Sequence, residues 1–341
     1  MKRTTHSLDF ADYVAKVLTS PVYEVASVTP VEEAKSVSER LGCRVFLKRE
    51  DLQPVHSFKL RGAYCKMRAM RRGELERGVI AASAGNHAQG VALSATRLGV
   101  PATIVMPVTT PEIKVRAVRS YGAKIVLSGE GYSEAAKEAA RLVRETGLAY
   151  IPPYDDPDVI AGQGTVAKEL VDQVPDMGAV YVPVGGGGFA AGVAAYLKSV
   201  KPSVKVYGVE PEDSDCMYRS IEAGRRVTVE HPGLFVDGVC VKTPGREPFR
   251  ICRALLDGVV RVSTDETCAA IKDVFEATRS VCEPAGALAL AAAKKSWRGD
   301  GSVVCIVSGA NINFNSIRFV IDHAQPHGET AEPVLAACGG M

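Results

Sequence analysis

Residues 44–48 (Arg44-Val45-Phe46-Leu47-Lys48) alternate apolar with polar side chains, the period of a strand. From 60 to 72, Leu60, Ala63, Tyr64, Met67 and Met70 recur at three- and four-residue spacing, the period of a helix. Strand and helix then follow each other down the chain. Apolar runs at 78–82, 102–106, 124–127, 179–184, 204–209 and 303–307 read as strands, and 88–98, 111–121, 132–146, 189–200 and 284–295 read as helices. Helical spacing also covers 11–18, 31–41, 249–256 and 266–278, with Gly42 stopping the second of these. Tyr150-Ile151-Pro152-Pro153 closes the first set of units. Strand–helix units at such short spacing predict parallel sheets with helices on both faces. The expected fold is α/β: two open twisted α/β lobes with the functional site in the cleft between them, where strand carboxyl ends gather ligands.

Composition narrows the function. The 341 residues are enough for one large or two medium domains with a good core. A net charge of +2 with no basic block argues against nucleic acid or an anionic membrane as the main partner. The nine cysteines include no CxxC pair and read as reduced thiols in a reducing compartment. The polar start, 1–10, carries no apolar signal core. A cytoplasmic location is expected, or an organelle stroma or matrix after removal of a transit peptide. Residues 177–197 are uncharged and long enough to span a bilayer, but Pro183 and four consecutive glycines make strand, loop and helix the better reading.

The chemistry centres on Ser57-Phe58-Lys59-Leu60-Arg61-Gly62. Lys59 stands near a helix start, where the dipole disfavours its positive charge and lowers its pKa. A neutral lysine is a nucleophile and forms a Schiff base with a carbonyl. An isolated lysine at such a place is more often a solvated charge, so the neighbouring loops decide. Ser83-Ala84-Gly85-Asn86-His87 follows a strand with small residues and one amide side chain, although alone it fits a plain capped turn. Gly185-Gly186-Gly187-Gly188 leads straight into a helix, so its N–H groups can cradle a phosphate. Ser308-Gly309-Ala310-Asn311 follows a third strand and by itself is a helix cap.

The glycine loop has two readings. Gly185, Gly187 and Ala190 satisfy the relaxed dinucleotide pattern, and Glu210 ends the next strand where a ribose-binding acid belongs. An NAD-dependent oxidoreductase is thus one hypothesis, but it leaves Lys59 and the Asn86 loop without a role. A phosphate-bearing aldehyde accounts for all three features, and that cofactor is pyridoxal 5′-phosphate.

The motifs in sequence order also carry a family resemblance. They are Lys48-Arg49-Glu50-Asp51, the Lys59 stretch from His56 to Ala63, Ser83-Ala84-Gly85-Asn86-His87-Ala88-Gln89-Gly90, Gly162-Gln163-Gly164-Thr165, the four glycines, Glu283-Pro284-Ala285-Gly286-Ala287 and Ser308-Gly309-Ala310-Asn311. In this set, running from about Tyr13 to about Ala324, the chain resembles the catalytic domain of the biosynthetic threonine dehydratases (threonine ammonia-lyases), fold-type II pyridoxal-phosphate enzymes. The resemblance implies a tryptophan synthase β-like architecture. A large cofactor-binding lobe would comprise 1–56 and 163–325, and a small mobile lobe 57–162. Lys59 would be the Schiff-base lysine and the catalytic base, with Phe58 beside it. Asn86 would bond the cofactor's phenolic oxygen, and Gly185, Gly186, Gly187, Gly188 and the backbone of Phe189 its phosphate. Ser308 would meet the pyridine nitrogen. A hydroxyl there makes a weaker electron sink than a carboxylate and favours β-elimination over transamination. Ser83, Ala84, Gly85, Asn86 and His87 would hold the substrate carboxylate. The implied reaction takes L-threonine to 2-oxobutyrate and ammonia, towards isoleucine, with L-serine to pyruvate as a side activity. A homo-oligomer, dimer or tetramer, and no metal are expected.

Several positions depart from the family pattern. Ala84 stands where related serine racemases place an acid/base serine, which argues for one-sided elimination. Phe189 replaces a leucine, Asp237 a glutamate and Cys240 an alanine. Glu210, Asp213 and Asp215 loosely resemble a racemase cation site but are expected to be surface carboxylates. Residues 326–341 stand where a linker to an isoleucine-binding regulatory domain begins, and this chain is expected to escape isoleucine inhibition. Serine dehydratase, serine racemase, a β-replacement synthase and a cofactor-binding regulatory protein without turnover remain the alternatives.

Overall fold

The computed structural model describes residues 9–324. The segment set apart at 326–341 and the first eight residues lie outside the described residues. Ten strands form two sheets: β1 (Val31–Glu33), β2 (Val45–Arg49), β3 (Val79–Ala82), β4 (Ala102–Met106), β5 (Lys124–Leu127), β6 (Ala149–Tyr150), β7 (Met177–Pro183), β8 (Lys205–Pro211), β9 (Gly258–Val262) and β10 (Ser302–Val307). The larger sheet has the order β1-β2-β10-β7-β8-β9, and the smaller β5-β4-β3-β6. Every pairing is parallel except that of β1 with β2.

The strands of the large sheet bury both faces. In β10, Val304 and Ile306 join one apolar layer, while Val303, Cys305 and Val307 join the other. Helices cover each layer, as a parallel sheet requires. The small sheet is enclosed likewise, by a core around Met67, Val91, Ile104 and Val118 on one side and Ala135 and Ala139 on the other.

Both sheets carry a switch point where the strand order reverses. In the large sheet the chain leaves β7 outward through β8 and β9, then returns to β10 on the other flank of β7. In the small sheet it leaves β3 for β4 and β5 and returns to β6 on β3's other flank. A crevice opens at the carboxyl ends of the strands at each such point. The glycine loop follows β7, the Ser308 loop follows β10, and the Ser83 loop follows β3. The stretch from Ile151 to Asp156 follows β6.

One expectation is corrected, and two features go beyond the hydrophobic pattern. Residues 31–33 are not helical: they form the antiparallel edge strand β1, and the helix is confined to Lys35–Leu41, closed by Gly42 at φ +66°. The alternating β2 is buried along its whole length, with Lys48 and Arg49 held against Glu169 and Asp51. The helix Pro157–Gln173 has no counterpart in the hydrophobic pattern. It is buried continuously from Val159 to Ala167 and so shows no apolar stripe. The stretch 177–197 is β7, the glycine loop and part of the helix Gly188–Val200. No helix among the described residues is long and apolar enough to cross a membrane.

Candidate active site

Lys59 is the first residue of the helix Lys59–Ala69. The segment entering it is tied to the loop after β10. Phe58 N–H donates to the Ser308 carbonyl (3.2 Å), Ser57 bridges Gly309, and Ala310 N–H donates to the His56 carbonyl (2.9 Å). Lys59 is half-buried and lines the cleft, and its amine donates to the Pro153 carbonyl at 3.3 Å. Desolvation pushes its pKa down to about 8, against the opposing pull of Glu283. A neutral minority of the amine, far larger than that of a solvated lysine, is therefore present near physiological pH, as a nucleophile or base requires.

The glycine loop faces this lysine through Tyr154, the residue after Pro153. A Cβ on Gly186 would collide with the Tyr154 ring, and one on Gly188 would lie 2.7 Å from the Tyr154 carbonyl. Gly187 has φ +92°, and a Cβ there would lie 2.5 Å from Met217 Cε. Glycine is thus required on steric and conformational grounds. The loop opens the helix Gly188–Val200, whose first-turn N–H groups lack partners within the helix. Phe189 turns its ring into the core, stacked on Phe58 with centroids 4.0 Å apart, and leaves only its backbone towards the loop.

After β3 of the small sheet Ser83, Ala84, Gly85 and Asn86 line the cleft half-buried, and Asn86 begins the helix Asn86–Leu98. Asn86 Nδ2 donates to Glu283 Oε1 at 2.6 Å, and Asn86 Oδ1 accepts from Asn311 Nδ2 at 2.6 Å. His87 is buried with Nε2 2.9 Å from the Ile151 carbonyl, so Nε2 carries the proton. Burial, with the charge of Lys59, pushes its pKa down to about 3 and keeps it neutral. Ser308 is buried at the end of β10. The cleft thus gathers Lys59, the Ser83–His87 loop, the glycine loop and Ser308. Ser57 Oγ is buried there with no hydrogen-bond partner. A buried amine, a glycine cradle on a helix start and an unpartnered hydroxyl fit a group carrying an aldehyde and a phosphate.

Two carboxylates of the Glu210 group are not at the surface. Glu210 and Asp215 are fully buried, and only Asp213 is exposed. Glu210 accepts from the N–H groups of Met217 (2.9 Å) and Tyr218 (2.8 Å), capping the helix Cys216–Glu222. Both of its oxygens are engaged, so it does not present a free carboxylate to a ribose. Asp215 pairs with Arg219 (2.6 Å) and Arg261 (3.1 Å). Asp237 forms an ion pair with Lys114 at 2.6 Å, across the mouth of the cleft.

Several supporting residues gave no individual signal. Gly62 N–H donates to Gln163 Oε1 (3.2 Å), which satisfies a free amide in the first turn of the lysine helix. A Cβ on Gly162 would lie 2.7 Å from the Arg61 carbonyl. Arg61, fully buried, binds Glu50 and Glu169 at 2.6–3.1 Å and Thr165 at 3.0 Å. The motif Gly162-Gln163-Gly164-Thr165 is therefore a seat for the helix that carries Lys59. Glu283, Asn311 and Tyr154 complete the cleft. Only their presence in or beside quoted motifs could have pointed to them.

The chain is similar to known proteins over most of its length. The pattern of the family described as pyridoxal-phosphate dependent enzyme matches residues 22–309. The chain is 54% identical over 333 residues to the L-threonine dehydratase biosynthetic IlvA of Burkholderia multivorans, covering 95% of this chain and 66% of that protein. It is 53% identical over 330 residues to the chloroplastic biosynthetic threonine dehydratase of Arabidopsis thaliana, covering 95% of this chain and 56% of that one. The chain thus spans less than two-thirds of the length of these curated relatives. Among solved structures, the processed form of threonine deaminase isoform 2 from Solanum lycopersicum superposes with a TM-score of 0.90 at 46% identity, covering 92% of this chain and 88% of that one. Maize serine racemase superposes with a TM-score of 0.87 at 32% identity, covering 93% and 98%.

Proposed function

The chain belongs to the pyridoxal-phosphate dependent enzyme family, and we propose that it converts L-threonine to 2-oxobutyrate and ammonia, with L-serine to pyruvate as a side activity. The observation that carries this reading is the Lys59 amine, lowered to a pKa of about 8 in a cleft that also holds a glycine cradle.

When bound, the cofactor supplies an aldehyde for the lysine and an electron sink for charge developing at the substrate's Cα. The rest falls to the chain. Lys59 would anchor the aldehyde; once the substrate's own amine has displaced it, the freed amine would take the α-proton, for which it must be neutral. The N–H groups of Gly185 to Phe189 would hold the phosphate, Asn86 the ring's phenolic oxygen and Ser308 the ring nitrogen. The backbone from Ser83 to His87 holds the substrate carboxylate. His87, kept neutral, adds no competing positive charge. Ala84 has no group to move a proton on the face opposite Lys59, which favours elimination over racemisation. The relatives named threonine dehydratase support the same choice over serine racemase. We further propose a homo-oligomer, dimer or tetramer, in a reducing compartment, a setting supported by eight free cysteines among the described residues.

The test is the visible absorbance of the purified protein with pyridoxal 5′-phosphate, followed by threonine and 2-oxoacid detection. A visible band lost in Lys59→Ala, together with 2-oxobutyrate, is the expected result. A band with no product from threonine would move the reading to serine or another amino acid. No band at all would overturn it.

A further inference from the structure

Glu283 immediately precedes the helix Pro284–Ser296 and is buried, at 3% exposure. Its Oε1 accepts from Asn86 Nδ2, whose amide oxygen accepts from Asn311 Nδ2, both at 2.6 Å. Asn311 Nδ2 is itself held by the Val55 carbonyl at 2.9 Å. A carboxylate accepts and an amide nitrogen donates, so Glu283 and Asn311 together dictate which way the Asn86 amide points. One N–H of Asn86 is spent on Glu283 and the other is left to donate. Glu283 also holds the loop after β10. Its N–H donates to the Gly309 carbonyl at 3.1 Å, and a Cβ on Gly309 would lie 2.5 Å from Glu283 Oε1. The carboxylate therefore joins Asn86 of the small lobe to the Ser308 loop of the large one.

We propose that Glu283 is a positioning residue for the cofactor's ring: it acts through Asn86, aims that residue's free N–H at the ring oxygen, and sets the charge beside that oxygen by gaining or losing a proton. This inference rests on the cofactor reading above. The titratable groups around Glu283 are Lys59 on its helix, Lys114 on the helix Glu112–Ser120, Asp237 at the cleft mouth and the neighbouring Cys282. Burial and the charge of Asp237 push the carboxyl up to about 7, while Asn86 and Lys114 pull it down. Its charge thus changes within the working range. Below that pH the carboxyl is neutral and its hold on Asn86 is weaker. Above it, a negative charge stands beside the ring oxygen.

The experiment reconstitutes wild-type protein, Glu283→Gln and Glu283→Asp with pyridoxal 5′-phosphate and titrates the visible absorbance across neutral pH. Initial rates give kcat and KM over the same range. Wild type should show an inflection near 7, absent in Glu283→Gln and displaced by about one pH unit in Glu283→Asp, the scale of moving a nearby charge. The change should appear in the pH profile of kcat more than in KM. A Glu283→Gln titration identical to wild type overturns the role. If that variant does not fold, Glu283→Asp decides, and an unmoved inflection overturns it equally. A wild-type protein with no visible band sinks the cofactor reading and this inference together. A normal band with unaltered titration sinks only the role of Glu283.

Discussion

At the residue scale, Lys59 and Gly187 make the sharpest claims. Lys59 gains its reactivity from burial more than from a partner, since desolvation is the main cause of its lowered pKa. The rate at which cofactor-free protein captures pyridoxal 5′-phosphate should therefore rise with pH through about 8 and level off above it. A solvated lysine would keep gaining neutral amine up to about 10.4. Stopped-flow absorbance measures this, and a rate still climbing beyond the higher value would refute it. Gly187 sits at φ +92° with Met217 against it. Gly187→Ala should strain the cradle by about 1–3 kcal/mol and weaken cofactor affinity roughly tenfold or more, read by equilibrium titration. The run of four glycines was legible as a place of close backbone approach, and the contacts a Cβ would make at Gly186 and Gly188 agree with that. Glu283 and Asn311 were not legible as individuals, because their meaning lies in hydrogen bonds to Asn86 from about 200 residues away.

At the scale of elements, the helix Lys59–Ala69 depends on a helix that the hydrophobic pattern does not reveal. Gly62 and Gly162 let the helices Lys59–Ala69 and Pro157–Gln173 approach closely enough for Gln163 to cap the first turn. Arg61 closes the arrangement, shared between Glu50 and Glu169 without exposure to solvent. Arg61→Leu leaves those two carboxylates buried without their arginine. It should lower unfolding free energy by about 3–5 kcal/mol, measured by denaturant titration. A loss below about 1 kcal/mol, the value of a surface pair, would show that water reaches the network. The strand–helix alternation was readable where one face of an element is apolar. It failed at Pro157–Gln173 because a helix surrounded by protein has no polar face to mark its period.

For the whole molecule, the arrangement of two sheets would make a cofactor held between them a bridge. The helix that packs on the small sheet and the loop after β3 bring Lys59 and Asn86, and the loops after β7 and β10 of the large sheet bring the glycines and Ser308. A ligand that binds only the folded state should stabilise both lobes together. At a hundred times its dissociation constant the gain is about 2.7 kcal/mol. Pyridoxal 5′-phosphate should raise the thermal midpoint of the wild type as a single transition, and raise that of Lys59→Ala by clearly less. Two transitions, only one of them shifted, would mean that the lobes unfold independently and the bridge is weak.

The chain alone determined the α/β class, the catalytic lysine candidate, the candidate phosphate loop and the family resemblance. Those depend on local periodicity and on residue types within a few positions of each other, which a linear text preserves. Only the tertiary structure decided that Glu210 caps a helix and does not offer its carboxylate to a ribose. It also decided that Lys48 and Arg49 are buried partners rather than an outer face, and that Glu283 stands at the centre of the cleft. Each of these depends on burial and on the partner the fold supplies: the start of the helix Cys216–Glu222 for Glu210, Glu169 for Lys48 and Asn86 for Glu283. A charge has no fixed meaning in sequence, because its surroundings decide whether it is solvated, paired or displaced from its usual pKa.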